Sequence, residues 1–191
     1  MRQKPFDIVR KSFLWLGVFI IIILTGIIQS KSTSITADIM LKGIDMYEIK
    51  GITKAISIFF TFISVFINWI IISVILSYFL SLIQEDYEKL EKKHCFLISG
   101  YSMLITFIFA CAILFKLHSV HTQTDFLEIL DKAKLLQKIG SLIYYLFIVV
   151  CTAKIEKMNI KKTALLFIPF AVLFLITNVI FPFFRNPGNN V

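Results

Sequence analysis

Charge is what this sequence has least of. Only 17% of its 191 residues are charged, against roughly 25% in soluble domains. No Asp, Glu, Lys, Arg or His falls in the core of its long apolar runs. That absence counts against proton-coupled carriers, ion pumps and intramembrane proteases, which need an ionisable group at membrane depth. Cysteine is scarce too. Cys95, Cys111 and Cys151 have no CxxC partner, which argues against a disulfide or zinc framework and leaves them as small apolar packing residues. P-loop, HExxH and GxSxG patterns are all missing. Glu85–Asp86 has the look of the paired acids of some membrane proteases, but it lies beyond an apolar run, and Lys89 stands where their arginine would be. The sequence therefore predicts no catalytic residue, no cofactor and no metal site, and no enzyme.

What it has instead is apolar length. The chain is 58% hydrophobic with 20 phenylalanines and a mean hydropathy of +0.83. Ala55 to Leu82 carries no charge at all. As a helix it would be about 42 Å long, enough to cross a hydrocarbon core of about 30 Å. Four more runs complete an all-α bundle of five transmembrane helices in one membrane domain over 1–191, with spans at about 12–29, 55–82, 95–115, 136–153 and 163–184. The 55–82 span, the longest, is read as the packing hub. Trp15 suits the interfacial aromatic belt. Pro169 cannot donate to the carbonyl of Leu165, so a kink is expected there.

Between the spans, 30–54 reads as a mixed loop of short helical pieces broken at Gly43 and Gly51. Glu85/Lys89 and Glu88/Lys92 stand four apart, as if the second span's helix ran on past the membrane. Within 116–138, Phe126, Leu127, Ile129, Leu130, Ala133 and Leu136 keep one apolar side while Asp125, Glu128, Asp131, Lys132 and Lys138 take the rest. This is the pattern of an amphipathic extracytoplasmic helix between spans three and four. His118 and His121, three apart and followed by Asp125 and Glu128, have a spacing open to a metal cluster, but a solvated amphipathic helix accounts for the same residues. The tail RNPGNNV is expected to be disordered.

The net charge of +8 and 17 lysines form no single basic patch, so they point to anionic headgroups and topology, with no nucleic acid as partner. Lysine and arginine are about twice as dense in 1–11, 83–94 and 154–162 as in the opposite segments. That puts the N-terminus in the cytoplasm and the C-terminus outside.

The spans are not uniformly apolar. Ser57, Thr61, Ser64 and Asn68 recur at helical steps and share one face of the second span. Ser99, Ser102, Thr106 and Ala110 do the same in the third. Small and weakly polar faces mark helix–helix contact, so Ser57, Thr61, Ser64, Asn68, Ser99, Gly100, Tyr101, Ser102 and Thr106 are the candidate packing or partner face. The implied partners are the lipid bilayer and a membrane protein or a second copy of the chain.

With the segments in place, three stretches resemble the Yip (Ypt-interacting protein) family. Lys4–Pro5–Phe6–Asp7 with Arg10–Lys11 resembles the family's entry to its first span. Ser99–Gly100–Tyr101–Ser102–Met103–Leu104 resembles its GYS-type motif, and Lys157 to Leu166 resembles the turn before its last span. Ile105 stands where the family often has proline, and the DLYGP-type motif of eukaryotic members is missing, so binding to prenylated GTPases does not carry over. The resemblance implies five spans, a cytoplasmic N-terminus and a non-enzymatic accessory or assembly factor for membrane transport or export. Composition rich in Ile, Phe and Lys and poor in Arg suits a low-GC bacterium, hence the plasma membrane. The alternatives are immunity against a membrane-active peptide and, disfavoured by the missing ionisable groups, a small-molecule transporter subunit.

Overall fold

The computed structural model describes residues 5–40, 47–83, 92–120 and 123–180. They form α1 (Pro5–Met40), α2 (Tyr47–Ile83), α3 (Lys92–His118), α4 (Gln123–Ile155) and α5 (Ile160–Leu175), the last extended by a π-helical turn, Ile176–Ile180. No strand occurs among the described residues. All five helices are long and apolar enough to cross a membrane. Lipid offers the backbone no hydrogen-bond partners, so a spanning segment closes its bonds internally as a helix even where Ile and Val dominate.

The helices are longer than the apolar runs. The 30–54 segment is no loop of short pieces: α1 runs on to Met40 and α2 begins at Tyr47, each helix about 55 Å long. Residues 30–40 contain no glycine or proline, and their hydroxyls fold back onto their own helix, as Ser32 does by donating to Ile28 O at 3.2 Å. Gly51 sits inside α2 facing open space, where glycine weakens a helix without breaking it. The two extensions are tied by Lys54 Nζ donating to Asp38 Oδ2 at 2.6 Å, and Thr33 and Thr61 hydroxyls meet at 3.2 Å.

The amphipathic segment is helical and continues unbroken into the fourth span as α4. Phe126 and Ala133 are buried, whereas Leu127 is exposed and does not belong to the inner side. Glu128–Lys132 and Asp131–Lys134 pair along its outer surface. Gly140 does not interrupt α4, because the Phe109 ring lies where a β-carbon would stand. The pairs Glu85/Lys89 and Glu88/Lys92, the acids Glu85–Asp86, His121 and the RNPGNNV tail all involve residues outside those described.

The hub is α3, not α2. It packs on α1, α2 and α4, most extensively on α1 and α4, because its small residues let neighbours approach. Val18 of α1 fills the space over Gly100, and Tyr101 donates to Leu14 O at 2.9 Å across the same seam. On the α2 side, the Trp69 indole donates to Phe96 O at 3.0 Å, and Ser73 and Ser99 share a buried hydrogen bond of 2.6 Å.

Two joints are set by local chemistry. After α4, Met158 N–H reaches Ala153 O at 2.9 Å around Lys157, which has φ 49°; this is a Schellman-type stop with lysine in glycine's usual place. Asn159 then caps α5 by accepting from Lys162 N–H at 2.9 Å. At the far end α5 continues helically past Pro169, and the irregular turn falls at 176–180. There the Thr177 hydroxyl donates to Leu173 O at 2.8 Å and the Asn178 amide to Phe174 O at 3.2 Å, supplying carbonyls that a widened helix leaves short of N–H partners.

Candidate functional site

The interior divides into two unlike halves. One, formed by the first part of α1, α3 and α5 and the second part of α2 and α4, is packed with apolar side chains. Val18, Ile22, Ile72, Leu76, Leu80, Ile148, Leu166 and Phe170 are all essentially inaccessible there. The other half is hollow and mixes polar with apolar side chains. A cavity of about 580 Å³ opens between α1, α2, α3, α4 and the π turn. Its volume lies within the range of about 300–1,000 Å³ usual for small-molecule pockets.

Polar groups enter from every side, beside the apolar Val65, Met103, Phe109, Ala110 and Ile113. Thr61, Ser64 and Asn68 come from α2, spaced three and four apart so that they stack on one face. Gln137, Ser141 and Tyr144 come from α4 with the same stagger, and Thr106 from α3. Gln29 and Thr33 close it from the end of α1, and Thr177 and Asn178 from the π turn. Asn178 reaches α4, where its Oδ1 accepts from the Ser141 hydroxyl at 3.4 Å. The polar wall extends about 10 Å along α2 and α4.

Among the described residues, the lining holds no Asp, Glu, Lys, Arg or His. It is a field of neutral donors and acceptors, several of them unused. Asn68 is exposed at membrane depth and, like Gln137, makes no hydrogen bond to a described residue. Tyr144 is only 3% exposed and its hydroxyl has no partner among the described residues. Unpaired polar groups at such depth are costly in lipid, so the cavity is suited to receiving an uncharged hydrogen-bonding group. Its described residues assemble no nucleophile, base and oxyanion set. Nor could any group of His, Cys, Asp and Glu among the described residues hold a metal ion.

The structure distributes the residues singled out from sequence. Thr61, Ser64, Asn68 and Thr106 line the cavity. Ser57 lies one turn outside it, its carbonyl accepting from the Thr61 hydroxyl at 2.7 Å. Ser99 and Gly100 are buried in the seams of α3 with α2 and α1, Ser102 is buried and donates to Ile98 O of its own helix at 2.7 Å, and Tyr101 bridges to α1. His118 ends α3, and none of His118, Asp125 and Glu128 lines the cavity. Sequence reasoning missed Gln29, Gln137, Ser141, Tyr144, Thr177 and Asn178. The signal was available in Gln137–Ser141–Tyr144, whose four-then-three spacing matches that of the polar face on α2.

In comparisons with known proteins, the family model for the Yip1 domain matches residues 2–181. No curated protein and no solved structure matches the chain.

Proposed function

The chain belongs to the Yip1 domain family, and from that premise we propose that it is a non-enzymatic accessory or assembly factor for a membrane transport or export complex. It resides in the plasma membrane with its N-terminus in the cytoplasm and works by lateral association with a membrane-protein partner. The observation that carries this reading is Asn68, an amide exposed at membrane depth with no hydrogen-bond partner among the described residues. In lipid such a group is covered by a neighbour, and polar contacts between spanning helices are the usual glue. Ser64 stands one turn away on the same exposed edge, so the rim of the cavity on α2 is the proposed contact surface.

The test is quantitative recovery of the partner from native membranes in mild detergent. Ser64→Leu with Asn68→Leu removes the hydrogen-bonding edge while keeping α2 apolar. A membrane protein recovered in fixed proportion with the wild-type chain and lost with the double variant is expected. Equal recovery with both chains refutes the reading.

A further inference from the structure

The inner wall of the cavity asks for an occupant of its own. We propose that it is a binding site for an uncharged polyhydroxylated group, a sugar. The reading that the cavity is the working surface underlies this proposal, which adds the chemistry of what enters it.

Three properties of the wall select that chemistry. The first is neutrality. With no ionic residue among the described residues of the lining, a phosphate, carboxylate or ammonium group would meet no counter-charge from them and lose its hydration. The second is the kind of polar group. Gln29, Asn68 and Gln137 are carboxamides with no side-chain partner among the described residues, each offering donors and an acceptor side by side, a match to vicinal hydroxyls that both donate and accept. The third is apolar surface beside these groups, from Val65, Met103 and Phe109, against which the C–H face of a sugar packs. The Tyr144 hydroxyl, unpartnered among the described residues, gains a partner when such a group is bound.

The cavity is lined by the middle turns of α2 and α4 and reaches the π turn after α5. An uncharged glycolipid whose sugar enters it from the bilayer is one source and a free oligosaccharide the other.

The full-length chain, purified in lauryldimethylamine oxide to keep sugar detergents out, is placed in phosphatidylglycerol nanodiscs. It is titrated with diglucosyl-diacylglycerol or free maltose, with retention read by native mass spectrometry. Saturable retention of the glycolipid, of maltose, or of both supports the proposal and assigns the source. Tyr144→Phe and Gln137→Leu are each expected to weaken retention about 3- to 10-fold, the loss of one neutral hydrogen bond. Neither should lower the melting temperature in phosphatidylglycerol alone, because neither side chain has a hydrogen bond to lose among the described residues. Absence of saturable retention of both sugars, or undiminished affinity in both variants, overturns the proposal. Partner recovery that persists without sugar retention refutes this inference alone. Sugar retention without a partner refutes the accessory reading alone.

Discussion

Substituting alanine for glycine at two positions should shift stability in opposite directions, because the two glycines meet opposite surroundings. A β-carbon on Gly100 would overlap Val18 Cγ1 and stand 3.0 Å from Val18 Cγ2 and 3.2 Å from the Trp69 indole nitrogen. Val18 is fully buried and β-branched, so it has little rotamer freedom with which to retreat. Trp69 is held by its hydrogen bond to Phe96 O and by edge contacts with the Phe19 and Phe96 rings. Overpacking of this kind costs about 1–3 kcal/mol, while alanine's helix preference returns at most about 1 kcal/mol. The net expectation for Gly100→Ala is a loss of about 1–2 kcal/mol. At Gly51, by contrast, a β-carbon would meet nothing within 4 Å, so Gly51→Ala keeps only the favourable term and should gain about 0.5–1 kcal/mol. Reversible unfolding of both variants by dodecyl sulfate titration in mixed micelles measures the difference, expected at about 2 kcal/mol. Equal shifts in the two variants would refute close packing of α1 on α3 at Gly100.

How much of this could be read from the sequence depended on which property carried the information. The five crossings were legible because a run such as Ala55–Leu82 states its environment residue by residue. Helix ends were not. Ser, Thr and Lys at 30–40 read as loop because their polarity was taken as solvent exposure, yet Ser32 returns its hydroxyl to the carbonyl of Ile28. Local bonding of this sort leaves a helix intact while erasing its hydropathic signal. The polar face on α2 was visible as a spacing, but a spacing does not say what faces it. Ser99 turned out to serve the α2–α3 seam, while Asn68 lines a cavity whose other wall, Gln137 to Tyr144, lay in the span with the weakest apolar signal. The cavity depends on how helices distant in sequence diverge, and no single segment encodes that.

Three further expectations test the local chemistry. Lys157 holds φ 49°, a conformation that costs a side-chain-bearing residue about 1–2 kcal/mol. Lys157→Gly should therefore raise stability, by about 0.4–1 kcal/mol after the entropy of a freer unfolded chain is set against it; a fall in the denaturation midpoint would refute the turn geometry. Ser73→Ala removes the bond to Ser99, but Ser99 keeps Phe96 O at 3.2 Å, so the loss should stay near the ~0.6 kcal/mol average for polar contacts between spanning helices. A loss above about 2 kcal/mol would show that this pair does more than its geometry explains. The last concerns Glu156, in the turn between α4 and α5. Burial pushes its carboxyl above the ordinary glutamate value, with His94 drawing it back. A raised value means that the folded chain binds the proton more tightly than the unfolded one. Its contribution is thus fully present below the unfolded carboxyl's range and is lost as pH rises through the folded value. Glu156→Gln carries the neutral form at every pH. Stability curves for the two chains should run together in acid and separate toward neutrality, with the glutamine variant the more stable. Curves that stay parallel from acid to neutral pH would mean the turn keeps Glu156 as well solvated in the fold as in the unfolded chain.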